Sequence, residues 1–136
     1  MAKKILIIED DANVLYALQA KFSLAGFQIT AVDGGSLPEI IHKIEMGRPD
    51  YIILDLILPD LHGHEILGAI KAHEGISHIP VFVFTDLSDK DTKVRSLDLG
   101  ADYHFLKQDF LIDDFVEKVK KIISNSDKMK EKNEKT

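Results

Sequence analysis

Two kinds of hydrophobic periodicity alternate along this chain, and the alternation limits the possible folds more than any other feature. Short apolar runs with the length of β-strands are each followed by a segment in which apolar residues recur three or four positions apart, as on one face of a helix. The unit occurs five times, which predicts an α/β fold: a doubly wound, five-stranded parallel sheet with helices on both faces. The predicted strands are Lys4–Ile8, Phe27–Val32, Tyr51–Leu54, Val81–Phe84 and Tyr103–Leu106.

The helices are predicted from their apolar faces and from the glycines that end three of them. Gly26, Gly47 and Gly100 stand where the first, second and fourth helices should end, since glycine readily adopts the left-handed conformation found there. The third and fourth strand runs are apolar throughout, which favours central strands covered on both sides. The apolar helix faces comprise Leu15, Leu18, Phe22 and Ala25; Ile40, Ile41 and Ile44; Ile66, Leu67 and Ile70; Val94 and Leu97; and Phe115, Val116, Val119, Ile122 and Ile123.

The composition excludes several classes of function. The 136 residues include no cysteine, so a disulfide framework, a zinc–thiolate site and a thiol nucleophile are excluded. The net charge of −6 argues against broad binding to nucleic acid or anionic membranes, which calls for a basic face. No apolar run approaches the length of a bilayer span, and acidic residues follow the first run directly, unlike in a signal peptide. We therefore expect a cytoplasmic domain.

The last thirteen residues differ in composition from the rest. Residues 124–136 contain four lysines, three acidic residues and one apolar residue, Met129. Such a segment buries too little apolar surface to order itself. We predict one folded domain over residues 1–123, followed by a polar tail or linker stub that is disordered or a frayed extension of the last helix.

Chemically active side chains collect where the predicted strands end. The carboxyl ends of parallel strands meet at one edge of a sheet, where the functional sites of such folds lie. Carboxylates brought together there repel one another, by about 4 kcal/mol for unit charges ~4 Å apart at an effective dielectric near 20. A lysine and a divalent cation would offset this, and oxygen ligands favour Mg²⁺, Ca²⁺ or Mn²⁺ over zinc. The side chains are Glu9, Asp10 and Asp11, then Asp55, then Thr85 and Asp86, and finally Lys107.

A purely structural role accounts for only some of these groups. Asp11 directly precedes the first helix, where a carboxylate can cap the free amides. That role does not account for Asp55 or Lys107, because each ends a strand of the predicted core. An ionised group without a function would be costly at such a place.

Four segments at these strand ends form a recognisable pattern. They are Ile5–Asp11, Tyr51–Gly63, Pro80–Thr85 and Gly100–Tyr103 with Lys107. Taken together, in this order and at these intervals, they resemble the receiver domain of bacterial two-component response regulators. The resemblance covers Lys3 to Ser124 and implies the flavodoxin-like, CheY-like fold with strand order 2-1-3-4-5.

The resemblance implies a phosphoacceptor and a metal site. Asp55 would attack the phosphoryl group of a phosphohistidine and become an acyl phosphate. Glu9, Asp10, Asp55 and the backbone carbonyl of Ile57 would hold Mg²⁺, with Mn²⁺ as a substitute. This suits phosphoryl transfer, which depends on positioning and charge neutralisation. Apolar residues at Ile57 and Leu87 flank the path of a hydrolytic water, so we expect a long-lived phosphorylated state.

The same resemblance assigns the remaining groups and also exposes three departures. Lys107 would neutralise the phosphoryl oxygens, and Thr85 would bond the phosphoryl group and act with His104 as the switch. His104 stands where a large aromatic, often tyrosine, is usual, and Asp86 where a small residue is usual; we favour an outward-pointing Asp86. Gln108 replaces a proline that usually follows a cis peptide. The bond is then either trans in a rearranged loop or cis and strained, at a cost of ~2.5–4 kcal/mol.

The partners follow from the resemblance. A sensor histidine kinase or a phosphotransfer protein would donate the phosphoryl group. A protein target, or an output domain absent from this chain, would receive the signal. A homodimer could form through the face of the fourth helix, fifth strand and fifth helix, which implies Lys93, Arg95, His104 and Lys118.

Other functions compete with this one. A pseudo-receiver that acts by protein contacts alone is the main alternative. A nucleotide-binding flavodoxin-like protein is disfavoured because Glu9, Asp10 and Asp11 would repel a phosphate. A hydrolase of the haloacid dehalogenase type needs an acid where Ile57 stands. A metal site at His62 and His64 lacks further ligands, so we expect both histidines to be solvated.

Overall fold

The computed structural model describes residues 2–134 and confirms the predicted sheet: five parallel strands in the order β2-β1-β3-β4-β5. The predicted strand boundaries differ from the observed ones by one residue, at the start of β2 and at the end of β4. The strands are β1 (Lys4–Ile8), β2 (Gln28–Val32), β3 (Tyr51–Leu54), β4 (Val81–Thr85) and β5 (Tyr103–Leu106), and the helices are α1 (Ala12–Leu24), α2 (Leu37–Gly47), α3 (Gly63–Ala72), α4 (Lys90–Asp98) and α5 (Ile112–Glu134).

The hydrophobic core lies on both faces of the sheet. Successive residues of β1, β3 and β4 point to opposite faces, so each strand supplies both halves of the core. Leu6, Ile52 and Val83 pack with residues of α2 and α3 on one face. Ile53 and Phe82 pack with residues of α1 and α5 on the other. Burial on both sides explains why these central strands are apolar except at Lys4, which begins β1, and Thr85, which ends β4.

The ends of the first two helices follow from local sequence. The Asp11 carboxylate accepts hydrogen bonds from the backbone N–H groups of Asn13 and Val14, so the predicted cap of α1 is confirmed. Gly26, with φ of +96°, follows that helix as predicted. The left-handed residue after α2 is Arg48, with φ of 45°, and Gly47 is still helical. Arg48 precedes a proline, which disfavours the helical conformation for it and ends the helix there.

The predicted apolar face of α4 is wrong, although the helix itself is present. Val94 and Leu97 are 47% and 45% exposed, and the buried residue of this helix is Ser96. Apolar contact with the core is made after the helix, by Leu99 and Ala101. The helix α4 is therefore held by a small set of contacts.

The α5 helix continues beyond the predicted domain end at residue 123. Within this extension the Asp127 carboxylate lies 3.7 Å from the Lys3 ammonium, at the edge of the sheet where the strands begin. Met1, Lys135 and Thr136, which belong to the predicted domain and tail, lie outside the described residues. Within residues 2–134 no helix has both the length and the apolar character required to cross a membrane.

Candidate phosphoacceptor and metal site

The register of the sheet brings the first two acids together. Ile8 of β1 lies beside Leu54 of β3, so the residues that follow them, Glu9 and Asp55, leave the sheet side by side. The backbone N–H of Asp55 donates to the carbonyl of Ile8 at 3.0 Å, which extends the pairing past the strand ends. The backbone N–H of Glu9 donates to the carbonyl of Val32 at 3.0 Å and ties the other side to β2.

Three carboxylates converge at this edge. One oxygen each of Glu9, Asp10 and Asp55 lies within 4.8 Å of the others. Glu9 and Asp55 are 2% and 4% exposed, whereas Asp10 is exposed to solvent. Two buried acids and one accessible acid therefore form an acidic cluster that reaches the surface at Asp10.

Lys107 enters the same cluster from the end of β5. Its ammonium lies 2.6 Å from Glu9 Oε1 and 3.1 Å from Asp55 Oδ2. Within the described chain no peptide bond is cis, so the bond to Gln108 is trans. A short 3₁₀ turn, Lys107–Asp109, follows β5, and its first residue is the lysine that contacts both acids.

The pKa values of Glu9 and Lys107 are both raised, for different reasons. Burial, together with the neighbouring Asp55 carboxylate, raises the pKa of Glu9 to about 7, although Lys107 opposes the rise. Burial alone would lower the pKa of Lys107, but the hydrogen bond to Glu9 and the charges of Asp55 and Glu9 outweigh it, so the pKa is raised. The site therefore holds its lysine charged, and its negative charge is only partly balanced.

The donor set fits a hard divalent cation. All three converging groups are carboxylates, and no histidine joins them in the described part of the chain. Burial is the largest cause of the raised pKa of Glu9, the neighbouring Asp55 carboxylate adds to it, and the Lys107 ammonium opposes it only in part. A cation bound by Glu9, Asp10 and Asp55 would offset the remaining repulsion between these carboxylates.

The loop after Asp55 is anchored to the Asp55 carboxylate. The Ile57 backbone N–H donates to Asp55 Oδ1 at 3.2 Å. The Ile57 side chain is 47% exposed beside the carboxylate. Gly63 closes the loop, because its N–H donates to the Leu56 carbonyl at 2.8 Å. A side chain at this glycine would meet the backbone of Leu56 and Asp55.

The predicted switch residues occupy β4 and β5. Thr85 is completely buried, and its hydroxyl oxygen accepts a hydrogen bond from the Leu87 N–H at 3.2 Å. His104 pairs with Val83 of β4, and its Nε2 is buried without a hydrogen-bond partner among the described residues. Burial, followed by the nearby Lys93 ammonium, lowers the pKa of His104.

Two expectations about polar side chains near the site have different outcomes. Asp86 is exposed, in agreement with the predicted outward-pointing side chain. His62 is also exposed, and its Nδ1 accepts a hydrogen bond from the His64 backbone N–H. His64, expected to be solvated, is instead 5% exposed and hydrogen-bonded to Ser96 at 2.8 Å. The sequence carries no signal for this pair, since its members lie 32 positions apart.

Known proteins are similar to this chain in sequence and in fold. The family model for the response regulator receiver domain matches residues 5–120. The transcriptional regulatory protein PrrA of Mycobacterium tuberculosis is 34% identical over 121 residues, or 88% of this chain and 49% of PrrA. The chain thus spans about half the length of that relative.

Two solved structures extend the comparison to three dimensions. A CheY-like response regulator receiver domain protein from Methanospirillum hungatei superposes with a TM-score of 0.80 at 27% identity, covering 95% of this chain and 99% of that one. The BeF3-activated DrrB receiver domain has a TM-score of 0.76 at 27% identity, with 91% and 99% covered. Because the family model matches most of the chain and the fold agrees, this chain belongs to the response regulator receiver domains of two-component systems.

Proposed function

We propose that this domain is a phosphoacceptor that takes a phosphoryl group onto Asp55 in a Mg²⁺-dependent reaction. The observation that carries the proposal is the position of the Asp55 carboxylate. One of its oxygens is held by the Lys107 ammonium at 3.1 Å and the other by the Ile57 N–H at 3.2 Å, within reach of two further acids. A carboxylate oriented in this way has both a fixed position and a neutralising partner.

The chemistry is a direct displacement at phosphorus. An Asp55 oxygen forms the new O–P bond while the N–P bond of a phosphohistidine breaks, and the imidazole keeps the electron pair and takes up a proton. Lys107 balances negative charge on the phosphoryl oxygens. Mg²⁺ held by Glu9, Asp10, Asp55 and the Ile57 carbonyl would supply further charge neutralisation.

The response to phosphorylation would pass through Thr85 and His104. The Thr85 hydroxyl now accepts from the Leu87 N–H, so it is free to donate its own hydrogen to a phosphoryl oxygen. Movement of Thr85 would change the space beside His104, whose ring nitrogen has no partner within the described chain. The added charge of roughly −1.5 to −2 drives such a change.

The surroundings of the domain are part of the proposal. The donor is a sensor histidine kinase or a phosphotransfer protein, and the place of action is the cytoplasm. Because relatives such as PrrA are transcriptional regulators about twice as long as the matched region, an output domain or a separate protein target would receive the signal. The α4–β5–α5 face, with Lys93, Arg95, His104 and Lys118, would carry such contacts or a homodimer.

Phosphorylation can be tested by intact mass after incubation with Mg²⁺ and acetyl phosphate. We expect the wild type to gain one phosphoryl group and Asp55→Asn to gain none. Asp60→Asn, an exposed acid in the same loop, is the matched control and should behave like the wild type. A wild type that gains no mass, and that shows no Mg²⁺-dependent binding of beryllofluoride, would favour the pseudo-receiver alternative and refute the proposal.

A further inference from the structure

Apart from tyrosine, five polar or charged side chains are buried among the described residues. Three of them, Glu9, Asp55 and Thr85, belong to the candidate site. The remaining two, His64 and Ser96, are hydrogen-bonded to each other, with His64 Nε2 2.8 Å from Ser96 Oγ. A buried polar pair is costly to maintain unless both members are satisfied, so its position in the fold matters.

The pair joins the loop after the acceptor to α4. His64 is the second residue of α3 and follows Gly63, whose N–H is bonded to the acceptor loop at Leu56. On the other side, Ser96 is the buried residue of α4, because Val94 and Leu97 face outward. The hydrogen bond therefore links α3 directly to the buried side of α4.

The charges around His64 favour its neutral form. From α3, the His62 ring lies 4.8 Å away between centroids. The positive charge of Arg95 on α4, and that of His104 on β5 when protonated, lowers the pKa of His64. The Asp89 carboxylate of the α4 cap and the hydrogen bond to the Thr92 backbone raise it. Burial comes first among these effects, and the net result is a lowered pKa for His64.

We propose that His64 is a positioning residue: in its neutral form it holds α4 against α3 through Ser96, and its protonation loosens α4. The inference goes beyond the proposed function and does not require phosphorylation. When α4 separates, His64 returns to an ordinary pKa near 6.5, so the separated form binds the proton more readily. Docking of α4 is then complete at neutral pH and is lost as the pH falls below about 6.5.

Amide hydrogen exchange measures this coupling directly. Protection factors of the α4 amides, corrected for intrinsic exchange, are compared at pH 7.5 and pH 5.5, with the α1 amides as the internal reference for global folding. We expect wild-type protection in α4 to fall at least about threefold at the lower pH, while α1 is unchanged. His64→Gln keeps a neutral hydrogen-bonding group and should remove this pH dependence while keeping the neutral-pH protection within about threefold.

Three further variants separate the pair from its surroundings. Ser96→Ala leaves the buried His64 nitrogen unpaired and should lower α4 protection about tenfold at pH 7.5. His42→Gln, an exposed substitution on α2, is the matched control and should leave the pH dependence intact. His104→Gln tests the other histidine beside α4, and α4 protection in this variant should still fall clearly at pH 5.5.

Specific results would overturn the proposal. It fails if His64→Gln still loses α4 protection between pH 7.5 and pH 5.5 as the wild type does, or if His104→Gln alone abolishes that loss. It also fails if Ser96→Ala leaves α4 protection unchanged. Should His64→Gln fold poorly, the loss of α1 protection will reveal it, and Ser96→Ala still decides the outcome. A wild type that neither gains a phosphoryl group nor binds beryllofluoride would refute the proposed function but would leave these exchange results as a valid test.

Discussion

Gly63 offers the sharpest test of the acceptor loop, because the fold leaves no space for a side chain there. A Cβ at this position would stand 2.5 Å from Leu56 Cα and 2.7 Å from the Asp55 carbonyl oxygen. Both are backbone atoms, so neither can rotate away. Ordinary Cβ contacts begin at about 3.4 Å. In Gly63→Ala the loop or the start of α3 must therefore move by roughly 1 Å, as expected for overpacking of a tight core site.

The size of the effect follows from two destabilising contributions and one stabilising contribution. Overpacking of this kind costs typically 1–3 kcal/mol, and loss of the Gly63 N–H bond to Leu56 costs about 1 kcal/mol more. The alanine also lowers the conformational entropy of the unfolded chain, which stabilises the folded protein by about 0.4–1 kcal/mol. We expect Gly63→Ala to lower the free energy of unfolding by about 2 kcal/mol. It should also weaken beryllofluoride binding, since the Asp55 backbone is displaced.

The same helix supplies the matched control. At Gly68, inside α3, the nearest atom to a new Cβ is Leu99 Cδ2 at 3.9 Å, which is an ordinary contact. Gly68→Ala should therefore stabilise the protein by about 0.5–1 kcal/mol through helix propensity. Urea denaturation of both variants measures the difference. If Gly63→Ala is as stable as Gly68→Ala, the steric reasoning about the loop is wrong.

Three further predictions test the charge, the lifetime and the domain boundary. Without Mg²⁺, the free energy of unfolding should fall as the pH rises from about 4.5 to about 7, because burial raises the pKa of Glu9 to about 7 in the folded state. Urea titrations of Glu9→Gln should show this slope removed; an unchanged slope would contradict the assignment. Ile57→Asn combined with Leu87→Glu should speed dephosphorylation about tenfold, a change of ~1.4 kcal/mol in the activation barrier. Mass spectrometry over time measures the rate, and an unchanged rate would contradict the role given to these two side chains. Deleting residues 124–136 removes the exposed ion pair between Asp127 and Lys3 and should lower the free energy of unfolding, measured in urea, by less than about 1 kcal/mol. If the shortened protein no longer unfolds cooperatively, the folded domain extends beyond residue 123.

The fold was predictable because its strands and helices have different periods. A run such as Ile52–Leu54, apolar at successive positions, is typical of a strand buried on both faces of a parallel sheet, and that signal is local. The failure at α4 has the same origin. Val94 and Leu97 have helical spacing, but spacing alone does not say which side of the helix meets the core. The buried side proved to carry Ser96.

By itself the sequence determined the order of the elements and the edge at which Glu9, Asp55 and Lys107 must gather, because parallel strands end on the same side of a sheet. Only the tertiary structure decided how these groups meet. The Lys107 ammonium reaches Asp55 across 52 positions of chain without a cis peptide, and burial raises the pKa of Glu9 to about 7. It also decided that His64 is buried against Ser96. Distance and solvent exclusion between remote segments set these properties, and both arise only when the chain is packed.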